Sequence, residues 1–132
     1  MNFKYSICYP DKSDIEYLNK PISKEKVIDI AKNYPWREQL NSKGDHYSPS
    51  LDFVNLDNNC SLGLSAMFDK NNNIEFSLWF NRPKKVKIFF GLLGEKQKMI
   101  VDDFWSLNLE DSIKNLNYFV NGNYTQIEKL FR

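Results

Sequence analysis

The chain has 132 residues and a formal net charge of +1, with 42% hydrophobic and 15% aromatic residues. So apolar a composition excludes a disordered chain, and the length is enough to bury a core without disulfides or a metal. The near-neutral balance gives no global field to draw nucleic acid or an acidic membrane, so charge recognition must be local.

A single domain is expected over residues 1–132. Its first strand should run from Asn2 to Tyr9 and end at Pro10, which has no amide to give a sheet ladder. The opening residues lack the long apolar core of a signal peptide, and no segment reaches the length of a membrane span. Cytoplasmic residence is therefore the expectation. Ser23 is placed to cap a helix that continues through Val27, Ile28, Ile30 and Ala31 towards Tyr34, where Pro35 stops it. From Trp36 to Pro49 the chain is polar and reads as a connection with room for a short helical turn. It is the longest irregular stretch, and long loops often carry function.

Between Ser50 and Val101 lie short alternating apolar segments, broken at Asp57-Asn58-Asn59, Asn71-Asn72-Asn73, Arg82-Pro83 and Gly91-Leu92-Leu93-Gly94. The alternation and the turn residues predict a five-stranded antiparallel meander. Pairing Phe68 with Ile74 puts Leu62, Leu64, Ala66 and Phe68 on one face with Ile74, Phe76, Leu78 and Phe80. Carried onward, the register adds Val86, Ile88, Phe90, Met99 and Val101 to this expected core face.

On the opposite face the same register aligns Phe53, Gly63, Trp79, Lys87 and Lys98, with Leu51, Met67, Lys85, Phe89 and Lys96 nearby. Gly63 leaves room for the Trp79 indole to lie over the sheet, with Lys87 as a cation–π partner. Lys87 directly opposite Lys98 is unfavourable unless water, an acidic element or a partner offsets it. Two readings of this face stand open. Either the first helix covers part of it with Glu25 and Asp29, or it is an exposed aromatic and basic docking surface.

After the meander, Asn108 can cap a helix with Glu110 and Asp111 in its first turn. Ile113, Leu116, Phe119 and Val120 share one face, and Gly122 is placed to end it. A short last helix, capped by Thr125, would bury Ile127, Leu130 and Phe131. The fold class is α+β: an antiparallel five- to six-stranded meander sheet with an N-terminal helix and C-terminal helices packed on it.

No constellation of catalytic groups stands out. The single histidine, His46, sits beside Asp45 in the long connection, but adjacency in sequence is not a triad. Cys8 and Cys60 read as packed free thiols, and with His46 they lack metal-ligand spacing. Asp102 and Asp103 should point to opposite strand faces, and Glu110 with Asp111 suits a helix start. Gly91–Gly94 lacks the ending and the following helix of a phosphate-binding loop. No catalytic residue, cofactor or metal is expected.

Several segments, taken together, resemble small cytoplasmic immunity proteins of bacterial polymorphic-toxin and contact-dependent growth inhibition systems. They are Tyr34-Pro35-Trp36 after the first helix, Ser48-Pro49-Ser50-Leu51 entering the meander, Arg82-Pro83-Lys84-Lys85, and the closing helix from Leu109 to Val120. The resemblance implies a protein that binds the C-terminal domain of a cognate toxin, often a nuclease, and neutralises it by stoichiometric occlusion. The expected partner-binding residues are Trp79, Lys87, Phe89 and Lys98 on the outer sheet face, with Trp36, His46 and Tyr47 from the long connection. Aromatics would anchor the contact and lysines set its register against an acidic patch. One alternative is a small α+β enzyme or ligand-binding domain with an apolar pocket, in which His46 with Asp45, or Tyr47, serves acid–base chemistry. Another is an RNA-binding accessory protein using Lys85, Lys87, Phe89, Lys96 and Lys98. Under the first reading neither a membrane nor nucleic acid is a partner.

Overall fold

In the computed structural model, which describes residues 2–41, 47–87 and 94–131, with backbone alone at 85–87 and 95–97, strand β1 (Phe3–Cys8) has two antiparallel neighbours. They are β2 (Glu16–Ile22) and β3 (Ser50–Asn55), and from β3 the chain meanders through β4 (Ser61–Phe68), β5 (Ile74–Lys87) and β6 (Glu95–Leu107). The described residues form an α+β fold on a six-stranded antiparallel sheet, ordered β2-β1-β3-β4-β5-β6. Two expectations about strands need correction. Glu16–Ile22, which the sequence reading left unassigned, is a strand, and Arg82-Pro83 is no break, because β5 runs straight through it. Pro83 is tolerated there because β4 ends at the Ser61–Asn81 pair, so beyond it β5 has β6 as its only ladder neighbour.

Helix α1 (Lys24–Asn33) begins at Ser23, whose hydroxyl accepts a hydrogen bond from the Lys26 amide at 3.2 Å, and ends before Pro35. A short α2 (Trp36–Leu40) follows. Asn108 caps α3 (Leu109–Val120) by accepting from the Asp111 amide at 2.7 Å, and Gly122 turns the chain out with a φ of 74°. The last helix, α4 (Tyr124–Glu128), starts one residue before Thr125, which is therefore not its cap, and runs into a 3-10 turn at Lys129–Phe131.

The helices gather on one sheet face. Val27 and Ala31 of α1, Leu116, Phe119 and Val120 of α3, and Ile127 of α4 are buried with Phe3, Leu51, Phe53, Leu62, Leu64, Phe76, Leu78 and Phe80 of the sheet. Phe119 packs against Phe3 and Phe80, with ring centres 5.8 and 6.5 Å apart. Helix α1 lies beside α3, and Lys24 Nζ donates to Asn121 Oδ1 at 3.2 Å. The first helix therefore shares the core face with α3, and among the described residues the other side of the sheet carries no helix.

The β4–β5 register matches expectation, with Phe68 opposite Ile74 and the even-numbered apolar residues inward. The registers on either side of it do not. Phe53 pairs with Leu62, not Gly63, and this slip of one residue puts Leu51 and Phe53 in the core. Lys98 pairs with Lys84, and Lys87 with Glu95, three residues away from the expected register. An odd slip reverses the faces of β6, so Met99 and Val101 lie on the outer face, 42% and 60% exposed. A bulge in β6 opposite the Phe76–Leu78 stretch of β5, with Ser106 at a φ of 70°, then returns Leu107 to the core. Ile88 and Phe90 lie outside the described residues.

Beneath α4, Arg82 occupies an inward position of β5 and is 3% exposed. Its guanidinium donates to Glu128 Oε2 at 2.8 Å and to the Phe80 carbonyl at 3.2 Å, and pairs with Asp102 at 2.7 Å. It also lies over the Phe80 ring, 4.9 Å from its centre. The buried cation is thus fully engaged and ties α4 to the sheet. Among the described residues no helix is long and apolar enough to cross a membrane.

Candidate functional site

The face without helices carries one row of residues across all six strands: Tyr17, Ser6, Asp52, Gly63, Trp79 and Asp103. Strand alternation puts Ser50, Ser65, Met67, Asn81, Met99, Val101 and Trp105 on the same side. Tyr17, Trp79, Met99, Val101 and Trp105 are all exposed, as are Ile15 and Tyr47 at the rim. Large apolar side chains are thus exposed together on one face, an arrangement that soluble monomers seldom carry without a binding role. A groove of about 680 Å³ runs along this face, its floor formed by Ser6, Asp52 and Ser65 and its sides by Tyr17, Tyr47, Trp79 and Trp105.

Gly63 determines the shape of the floor. A Cβ at this position would meet Asp52 Oδ1 at 3.2 Å and Trp79 Cε3 at 3.4 Å, so the missing side chain is what lets a carboxyl and an indole flank the same point. Burial pushes the Asp52 carboxyl up to about 6. Trp105 is held differently, its Nε1 donating to Asp103 Oδ2 at 2.8 Å. Among the described residues lining the groove, Asp52 is the only charged one, and neither it nor Asn81 Oδ1 has a hydrogen-bond partner.

The expected site residues separate. Trp79 and Tyr47 line the groove. Trp36 is 4% exposed, its Nε1 donating to the Ala31 carbonyl at 3.1 Å and its ring edge-on to Phe76, so it is core and has no surface for a partner. Lys98 is exposed but sits on the helix-bearing side, opposite Lys84. Lys87 faces Glu95 in the ladder, so the expected row of lysines across Trp79 does not form. His46 and Phe89 lie outside the described residues. Among the described side chains at outward positions of the strands are Asp52, Glu75 and Asp103 against Lys4, so acidic groups outnumber basic ones there.

Sequence reasoning missed Tyr17, Asp52 and Trp105. Asp52 had a readable signal, a polar residue between Leu51 and Phe53, whose alternation places both apolar neighbours inward. Cys60 is buried in the core and Cys8 half-buried at the groove, and among the described residues no three His, Cys, Asp or Glu side chains converge. No family model matches the chain, and no curated protein or solved structure matches it.

Proposed function

We propose that this chain is a cytoplasmic immunity-type protein that binds the C-terminal domain of a cognate toxin and neutralises it by stoichiometric occlusion, using the outer sheet face as its docking surface. One observation carries the reading: both long helices pack on the same side of the sheet, while Tyr17, Trp79, Met99, Val101 and Trp105 stay exposed on the other. A patch of aromatic and apolar side chains with polar surroundings is what a tight protein contact desolvates. The chemistry is binding, with no reaction assigned to the chain. The test is co-purification with a toxin domain encoded beside its gene, together with growth rescue when that domain is expressed. A stable one-to-one complex with rescue supports the reading, and absence of both overturns it.

The groove volume favours a second reading, a ligand-binding domain, since about 680 Å³ falls within the range of small-molecule sites. Saturable binding of a metabolite, with no protein complex, would favour it.

A further inference from the structure

From the juxtaposition of Asp52, Gly63 and Trp79 in a groove with no cation among its described lining residues, we infer that this face seats an arginine side chain of the protein partner, its guanidinium paired with the Asp52 carboxylate and stacked on the Trp79 indole. The inference rests on the docking role proposed above and names the chemistry at its centre. The half-buried Asp52 carboxylate beside aromatic walls loses part of the solvation it has in water, and a cation offsets that loss. Arginine fits better than lysine, because its flat guanidinium reaches a carboxylate edge-on through two parallel hydrogen bonds while its face lies on an indole. The absent Gly63 side chain leaves the space between the two groups, and Asn81 Oδ1 is a further acceptor without a partner on the same wall.

Among the described side chains the charge balance agrees. Asp103 stands in the same row, Glu75 lies further along the same face of β5, and Lys4 is the one basic side chain described at an outward strand position. Burial raises the Asp52 carboxyl to about 6, so it is ionised at neutral pH and ready to pair.

The experiment follows the Trp79 indole signal by NMR while acetyl-arginine amide is added, with the uncharged isostere acetyl-citrulline amide as control. The expected result is saturable binding in the millimolar range for arginine. Asp52→Asn and Gly63→Ala should each weaken it at least about tenfold, and citrulline should not saturate. Equal binding of the two amides, no saturation, or an unchanged Asp52→Asn variant overturns the inference. With the toxin domain, Asp52→Asn should speed dissociation at least about tenfold. A tight complex insensitive to Asp52→Asn overturns the inference and leaves the docking role standing. Arginine-selective binding by a chain that forms no toxin complex supports the seat and overturns the toxin reading.

Discussion

Replacing Asp52 by asparagine should stabilise the protein at neutral pH and have little effect in acid. Burial holds the Asp52 carboxyl at about 6 against an ordinary 3.8. A carboxyl raised in this way binds its proton more tightly in the folded chain than in the unfolded one. Between those two values the folded state holds more protons, so stability falls as pH rises. A gap of roughly 2 pH units at about 1.4 kcal/mol each sets the loss near 3 kcal/mol above pH 6. Asparagine never ionises, but its amide is itself incompletely paired in the groove, which reduces the gain to about 1–3 kcal/mol. For a chain of this size that is a rise of about 5–10 °C in Tm. Urea unfolding followed by tryptophan fluorescence, at about pH 4.5 and about pH 7.5, measures the difference between variant and parent at each pH. A stabilisation that grows from acid to neutral pH is expected. A variant destabilised at neutral pH, or a difference independent of pH, would refute the account of Asp52 as a desolvated, unpaired carboxylate.

Arg82→Ala should cost about 3 kcal/mol, the low end for breaking a buried ion pair, since Glu128 and Asp102 keep part of their solvent contact. Hydrogen exchange should show α4 opening first. The Arg82 hydrogen bond holds the Glu128 carboxyl below its ordinary 4.5, so its contribution is fully present above that value and is lost as pH falls through the lower, folded one. Glu128→Gln should flatten this acid limb in urea unfolding below about pH 4.5. Asn108→Ala removes the acceptor for the Asp111 amide and should lower stability by about 1 kcal/mol in chemical denaturation. Trp79→Ala should change stability by less than about 1 kcal/mol, because the indole is exposed, yet weaken a toxin complex by at least about 2 kcal/mol in calorimetry.

Where local chemistry fixes a turn, the sequence was a sufficient guide. In the β4–β5 hairpin, Asp69 Oδ1 accepts from the Asn71 and Asn73 amides and Asn72 takes a φ of 63°, so Phe68 must meet Ile74. Ser23 and Asn108 are equally local signals, and both helix starts are where they indicate. Across Asp57-Asn58-Asn59 the loop length is not set by residue type alone, and a slip of one residue exchanges the roles of Asp52 and Phe53. In β6 the run Met99-Ile100-Val101 is apolar on both faces, so alternation could not choose a side. The groove depends on both choices and was therefore the part hardest to read. Arg82 beside Pro83 looks like a turn, and only the arrival of Glu128 from α4 makes it an inward residue. Trp36 resembled an exposed anchor because nothing local shows that its indole closes on Ala31 and Phe76.

The chain has three tryptophans, and the proposed docking role predicts opposite behaviour for them. Trp79 and Trp105 stand exposed on the groove, while Trp36 is buried with its Nε1 bonded to Ala31, an internal control. The most direct measurement of the docking surface is the set of indole ¹H–¹⁵N signals before and after one equivalent of the toxin domain. The account predicts that the Trp79 and Trp105 signals shift while that of Trp36 stays in place. A complex that leaves both groove signals unmoved would contradict it.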